Sequence, residues 1–76
     1  MNIQFTYIDD VYQFNQICQL YDGSIKLSQG KYVVDAKSIL GIFSMNLQEV
    51  VTVEIETNYM IDREQFYKAI ERWSVE

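Results

Sequence analysis

A serine followed by a short apolar run is the feature of this sequence that most suggests chemistry. Ser38 stands directly before residues 39–45, which read Ile-Leu-Gly-Ile-Phe-Ser-Met. A serine in this position can accept a hydrogen bond from a backbone N–H two or three residues later and so cap a helix. An isolated helix this short is marginal in water and needs packing or a partner. The pattern therefore predicts a short helix with the Ser38 hydroxyl at its start.

Other residue types that carry catalytic or metal chemistry are scarce. The sequence has no His and one cysteine, Cys18, which excludes imidazole chemistry, the common zinc sites and an internal disulfide. Cys18 falls on the apolar side of a predicted helix and is expected in the core. Helix capping and solvated faces explain three acidic pairs better than catalysis does: Asp9/Asp10, Glu54/Glu56 and Glu64/Glu71. We therefore expect no enzyme activity, no metal and no cofactor.

Size and charge limit the range of functions further. A length of 76 residues favours one domain, and a hydrophobic fraction of 49% argues against disorder. The net charge of −5 is unsuited to nucleic acid or to an anionic membrane surface, so we expect neither as a partner. No stretch resembles a signal peptide or a membrane span, and we therefore expect a cytoplasmic protein.

The N-terminal third of the chain has a strand pattern followed by a helix pattern. Alternation of apolar and polar residues predicts a half-buried strand over residues 2–8. Its inward-facing residues would be Ile3, Phe5 and Tyr7. The Asp9-Asp10 pair can then cap a helix that ends near Asp22-Gly23. The apolar stripe of that helix would be Val11, Phe14, Ile17, Cys18 and Tyr21.

Three more strands are predicted, two before the Ser38 segment and one after it. A hairpin pattern has strands over 24–28 and 32–34, with a turn at Gln29-Gly30-Lys31 where Gly can adopt positive φ. After the short apolar helix, alternation resumes over 51–56, with Val51, Val53 and Ile55 on one side.

The last segment has the signals of an amphipathic helix. Asp62 and Gln65 fit the N-cap and N3 positions of a capping box, and Ile61 and Phe66 fit those of a hydrophobic staple. The predicted buried stripe is Phe66, Ala69, Ile70 and Trp73.

The resulting order is strand, helix, strand, strand, short helix, strand, helix. Three helices can cover one face of a mostly antiparallel four-stranded sheet, which makes an α+β open-faced β-sandwich. The opposite face of the sheet would carry Gln4, Thr6, Lys26, Thr52 and Glu54.

The stretch from Val34 to Met45 resembles the phosphocarrier HPr family of the bacterial sugar phosphotransferase system. In that family, a strand leads into Val-Asn-Ala-Lys-Ser-Ile-Met/Leu-Gly-Ile/Val-Met-Ser-Leu. The matching residues here are Val34, Ala36, Lys37, Ser38, Ile39, Leu40, Gly41, Ile42 and Ser44. Asp35 replaces Asn, and Phe43 and Met45 replace similar apolar residues. The resemblance implies a single HPr-like domain over residues 1–76 with the order βαββαβα.

The resemblance also implies a phosphoryl-accepting histidine, which this chain lacks. In the family, that residue lies in Gly-Leu/Ile-His-Ala-Arg-Pro-Ala, between the first strand and the first helix. Here Tyr7-Ile8 leads directly to Asp9-Asp10-Val11, without the His, the Arg or the Pro. Two carboxylates at this place would repel a phosphoryl anion. We therefore expect no histidine phosphocarrier activity.

A second family site is a serine that aligns with Ser38. In HPr proteins of low-GC Gram-positive bacteria, a dedicated kinase phosphorylates this serine, and the product binds a transcriptional repressor in carbon catabolite repression. By resemblance, Ser38 is the candidate regulatory phosphorylation site, and an HPr kinase or a transcriptional regulator is the candidate partner. The candidate partner-binding residues are Lys37, Ile39, Leu40, Phe43 and Met45, of which two of the four apolar ones are expected to be exposed.

Three interpretations stay open from the sequence. The first is a non-catalytic, HPr-like regulatory protein that is phosphorylated at Ser38. The second is a constitutive protein-binding module with the same fold, in which Ser38 is a helix cap and is not phosphorylated. The third, an enzyme, has no residues that favour it. For Lys37, an exposed and solvated side chain is as good an interpretation as phosphate steering.

Overall fold

The order of strands and helices predicted from the sequence is confirmed. Residues 1–75, the part of the chain that the computed structural model describes, contain four strands, three α-helices and a short 3-10 helix. In chain order these are β1 (Asn2–Ile3), α1 (Ile8–Gln19), β2 (Ser24–Gln29), β3 (Tyr32–Asp35), α2 (Ile39–Phe43), β4 (Val51–Glu56), α3 (Met60–Ile70) and the 3-10 helix (Glu71–Trp73).

The four strands form one antiparallel sheet in the order β1-β4-β2-β3. The β2–β3 hairpin turns at Gly30, whose φ of 61° is the left-handed conformation that glycine adopts readily. Burial alternates along β4, where Val51, Val53 and Ile55 are buried while Glu54 is exposed. One face of the sheet is therefore the core face, and the predicted α+β open-faced sandwich is confirmed.

The core lies between that face and the three helices. α1 contributes Val11, Phe14 and Cys18, and Phe14 packs edge-to-face on Trp73 with ring centroids 6.0 Å apart. α2 contributes Ile42. Burial of such side chains stabilises a fold by about 1.5–3 kcal/mol each, so all three helices are held by their apolar sides.

The first strand is shorter than predicted. β1 ends at Ile3, and the backbone N–H of Gln4 donates to the carbonyl of Trp73 at 3.0 Å. The chain then leaves the sheet, so Phe5 stays buried but Tyr7 is exposed, contrary to its predicted inward position. Gln4 and Thr6 accordingly lie outside the strands.

The first helix also has different ends from those predicted. Tyr7, not an aspartate, is its N-cap residue, and the helix ends at Gln19 rather than near Asp22-Gly23. Gly23 has another role, because a Cβ there would lie 2.6 Å from the carbonyl oxygen of Glu56. It permits close approach of two backbones.

The last helix begins two residues before its predicted cap. The N–H of Tyr59 donates to Thr57 Oγ1 at 3.2 Å, which turns the chain into α3 at Met60. Asp62 lies inside the first turn and Ile61 is exposed, so the predicted capping box and hydrophobic staple are wrong. Ala69 is exposed as well, contrary to its place in the predicted stripe.

Candidate regulatory and partner-binding site

Ser38 caps α2 as the sequence predicts. Its backbone is extended, and its Oγ accepts a hydrogen bond from the Gly41 N–H at 3.1 Å. Its carbonyl accepts the first helical bond from the Ile42 N–H at 3.0 Å. The side chain is exposed, and since its oxygen is an acceptor in the cap, the hydroxyl proton does not take part in that bond. A hydroxyl is thus presented to solvent at a fixed helix start.

The turn before Ser38 is built by Asp35. Its Oδ1 accepts from the Lys37 N–H at 2.9 Å, and its carbonyl accepts from the Ser38 N–H at 3.0 Å. This is the local backbone bonding that makes aspartate favourable in turns. The Asp35 carboxylate is therefore engaged with the backbone of the residue before Ser38.

Lys37 is tied to the first helix rather than free in solvent. Its Nζ donates to the carbonyl of Tyr21, just beyond the end of α1, and the residue is partly buried. The interpretation of Lys37 as an exposed, solvated lysine is therefore wrong. Its charge is held against the C-terminal end of α1, where the helix dipole favours a cation.

Two amide side chains of α1 hold the same connection. Asn15 Nδ2 donates to the Ala36 carbonyl at 3.1 Å, and Gln19 Nε2 donates to the Lys37 carbonyl at 2.7 Å. We call this pair the α1 amide clamp. The sequence interpretation missed the clamp, because the spacing of two amides four residues apart on α1 does not specify residues 36 and 37 as their partners. The clamp fixes the two residues that precede Ser38.

The apolar residues of the α2 segment divide between core and surface. Leu40 is 81% exposed and Phe43 is at the boundary of exposure, whereas Ile39 is partly buried against the core. The expectation that two of the four candidates are exposed is thus confirmed. Met45 is only 7% exposed, so a partner contact through its side chain is excluded in this structure; it follows the end of α2 and packs inward.

The first helix adds aromatic and aliphatic surface beside α2. The ring of Tyr12 packs edge-to-face on Phe43, with centroids 5.6 Å apart at 63°. Tyr12, Tyr7 and Ile8 are all exposed. The sequence interpretation placed Tyr7 on the inward side of a strand, and so it missed this extension of the surface around Leu40.

At the start of α1, a carboxylate from the first turn of the helix accepts backbone hydrogen bonds. Asp10 Oδ2 accepts from the backbone N–H of Tyr7 at 3.1 Å and of Thr6 at 3.4 Å. The Tyr7 N–H bond is the main reason why the pKa of Asp10 lies below its ordinary value, and the charge of Arg72 adds to the shift. The anion favoured at this helix end is thus already supplied by the chain.

Solved structures with a similar fold were found. The phosphocarrier protein HPr from Bacillus anthracis superposes with a TM-score of 0.77 at 21% identity, covering 99% of this chain and 94% of that one. HPr-C-His from Thermoanaerobacter tengcongensis superposes with a TM-score of 0.78 at 24% identity, covering 95% and 85%. The fold is HPr-like. No family model matches the sequence, and no curated protein matches it.

Cys18 and the acidic side chains are the other residues of chemical interest in this HPr-like fold. Cys18 is buried, as predicted, and burial raises the pKa of its thiol to about 12. No group of His, Cys, Asp or Glu within residues 1–75 is arranged to hold a metal ion. In the same residues, no helix is both long and apolar enough to cross a membrane.

Proposed function

We propose that this chain is a non-catalytic, HPr-like regulatory protein related to the phosphotransferase system, without histidine phosphocarrier activity, and that an HPr kinase phosphorylates Ser38. One observation carries the proposal: an exposed hydroxyl at the start of α2, two residues before the exposed side chain of Leu40. The substrate hydroxyl and a surface for a partner are next to each other. The proposed unit is a single cytoplasmic domain over residues 1–76.

The loss of carrier activity is supported by the residues between β1 and α1. The connection is Gln4-Phe5-Thr6-Tyr7, and the chain has no His to accept a phosphoryl group. The helix start that would stabilise such a group is occupied by the Asp10 carboxylate. A second anion there would be repelled by the Asp10 carboxylate.

Phosphorylation of Ser38 would change charge more than shape. The phosphate adds about −1.5 to −2 charges at pH 7. At a helix start, the N–H groups and the dipole favour such an anion by about 0.3–1 kcal/mol. The cap geometry can persist, because phosphate oxygens also accept N–H bonds. A partner would then recognise a new negative charge two residues before Leu40.

A phosphorylation assay tests this proposal. The protein is incubated with ATP and an HPr kinase that is active on an authentic HPr, and its intact mass is measured. We expect one added phosphoryl group in the wild type and in Ser44→Ala, and none in Ser38→Asn. Asparagine caps a helix about as well as serine, so a loss in Ser38→Asn reports the hydroxyl and not unfolding. An unmodified wild type beside a modified authentic HPr overturns the proposal.

The carrier claim has its own assay. With phosphoenolpyruvate, enzyme I and an authentic HPr as positive control, we expect no phosphoryl transfer to this chain. Transfer at the rate of the authentic carrier would contradict the proposal.

The alternative is a constitutive protein-binding module with no phosphorylation. The observation that favours it is the bond between Ser38 Oγ and the Gly41 N–H, which gives the hydroxyl a structural role. The kinase assay separates the two functions.

A further inference from the structure

One long side of β3 has backbone groups that no other strand pairs with, because β3 lies at an edge of the sheet. The Ala36 N–H donates to the carbonyl of Ile25, the residue opposite it, at 2.9 Å. Bonded and non-bonded pairs alternate along an antiparallel ladder, so the backbone groups of Val33 and Asp35 point away from β2. Within residues 1–75, only the Asp35 carbonyl among these groups has a partner, the Ser38 N–H.

The side chains along this edge leave it accessible. Tyr32 and Val33 are 50% and 55% exposed, and Asp35 is exposed as well. Val33 lies opposite Ser28 on the open face of the sheet, whereas the hydroxyl of Tyr32 lies 2.8 Å from Ser44 Oγ at the end of α2. An exposed edge with valine and tyrosine side chains is a template for another strand.

The sequence around Val33 is complementary to itself in the antiparallel direction. When two copies are paired about a two-fold axis at Val33, Lys31 of each copy lies opposite Asp35 of the other. Tyr32 then lies opposite Val34. Pairs of opposite charge and pairs of an aromatic with a β-branched residue are favourable across strands. Moving the axis by two residues places Lys31 opposite Lys31 or Asp35 opposite Asp35, and like charges there are unfavourable.

We propose that two copies of this chain associate through β3, antiparallel and centred on Val33. The four strands of each copy then join into one eight-stranded sheet. Each Val33 N–H donates to the Val33 carbonyl of the other copy, and each Asp35 N–H donates to the Lys31 carbonyl across the axis. These bonds use the backbone groups that β2 leaves unpaired. Phosphorylation of Ser38 is not required for this association.

The dimer is expected to be weak. The edge that pairs is β3, which has only 4 residues, and interfaces that bury little surface are transient. Each copy also carries a net charge of −5, and this opposes association. We therefore expect monomers at about 20 µM and a substantial dimer population at about 1 mM.

NMR at the two concentrations tests the proposal. We expect the amide shifts of residues 31–35 to change on concentration and the tumbling of the protein to slow. A mixture of isotope-labelled and unlabelled protein then reports the register. Tyr32 of one copy and Val34 of the other form a non-hydrogen-bonded pair with Cα atoms about 4.5 Å apart, so an NOE between their Hα protons is expected across the two copies.

Val33→Pro removes the N–H at the centre of the proposed interface. The ladder with β2 does not use that N–H, and proline is tolerated on an edge strand where its nitrogen faces solvent. We expect the variant to keep a folded amide spectrum and to remain monomeric at about 1 mM. A folded Val33→Pro that dimerises like the wild type overturns the proposal.

A pair of charge reversals tests the register without changing the strand backbone. Lys31→Glu places two carboxylates opposite each other and should weaken dimerisation at least about tenfold. Lys68→Glu makes the same change in net charge at an exposed position of α3, and should leave dimerisation within about twofold. Equal weakening by the two variants would show that net charge decides the association and would contradict the register.

Two further outcomes reject the β3 dimer. A wild type that stays monomeric at about 1 mM shows that the edge does not pair. Shifts on concentration that map to α1, to α2 or to β1 show that copies associate through another surface. Neither outcome bears on the kinase assay, so the proposed function and this inference fail separately.

Discussion

The starts of α1 and α2 differ in the group that closes them. At α1, the Asp10 carboxylate accepts the N–H groups of Tyr7 and Thr6. At α2, the neutral oxygen of Ser38 accepts one N–H, from Gly41. The acceptor at the α1 start is therefore charged and the Ser38 acceptor at the α2 start is neutral, although the Asp35 carboxylate is held nearby on the Lys37 N–H. An added anion would meet the Asp10 charge at α1, whereas at Ser38 the helix dipole would favour it and Asp35 would oppose it.

The difference shows that a few side chains decide which chemical group each helix start presents in this fold. Both helices pack on the same face of the sheet, and the first turn of each supplies N–H groups that have no partner within the helix. What differs is whether a carboxylate or a hydroxyl lies there. In this chain, the α2 start has an exposed serine hydroxyl, which we propose a kinase modifies, whereas a carboxylate accepts the backbone N–H groups at the α1 start.

The α2 start depends on what lies beneath it, and this gives the largest predicted effect. Ile42 is fully buried, while Leu40 on the same helix is 81% exposed. We expect Ile42→Ala to lower the free energy of unfolding by about 2–5 kcal/mol, and Leu40→Ala to change it by no more than about 0.5 kcal/mol. Chemical denaturation measures both. Similar losses in the two variants would mean that α2 is not anchored through Ile42.

The second prediction concerns the cap itself. Ser38→Ala removes the acceptor of the Gly41 N–H, and it should cost about 1 kcal/mol in unfolding free energy. Ser38→Asn supplies another acceptor and should stay close to the wild type. If Ser38→Asn is as destabilised as Ser38→Ala, the hydroxyl does more than cap the helix.

Strong local patterns were enough to predict much of this structure. The alternation in β4, the glycine turn at Gly30 and the serine before α2 each act over a few residues, and each was confirmed. Helix ends were less predictable. Asp62 is a good capping residue, but the Thr57 turn starts α3 before it. Strand pairing holds the start of the chain in the sheet only as far as Ile3.

The side chains that hold the Ser38 segment could not be predicted, for a different reason. Asn15 and Gln19 reach residues 36 and 37 across the fold, and Lys37 reaches back to Tyr21. These contacts join segments that are 16 to 21 residues apart in the chain. No spacing rule within either segment specifies the partner, so the local pattern identified the hydroxyl but not the side chains that hold it.

The third prediction tests whether the α1 amide clamp positions the α2 start. Asn15→Ala removes the bond to the Ala36 carbonyl and should cost about 0.5–1.5 kcal/mol. Gln16→Ala, at the next and exposed position on α1, is the control and should be nearly neutral. Amide hydrogen exchange should speed up at residues 39–42 in Asn15→Ala but not in the control. Unchanged exchange there would show that α2 is held by its core contacts alone.

The smallest expected effect is the pH dependence contributed by Asp10 at the α1 start. The Tyr7 N–H lowers the pKa of the Asp10 carboxyl below its ordinary 3.8. A carboxyl with a lowered pKa in the folded state adds stability at pH values above its unfolded pKa, and the stability is lost as pH falls through the folded pKa. We expect the wild type to exceed Asp10→Asn in unfolding free energy at neutral pH, and the difference to shrink as the pH falls below about 4.

Asp9→Asn is the control for that measurement, because it removes the same charge without changing the bonds to Tyr7 and Thr6. Denaturation across the acidic range should show the pH-dependent loss when the wild type is compared with Asp10→Asn. A difference between wild type and Asp10→Asn that is constant with pH would contradict the assignment of a charged carboxylate to the α1 start. The contrast with Ser38 would then be one of hydrogen bonding alone, because a neutral Asp10 would leave that helix end as open to an added anion as the start of α2.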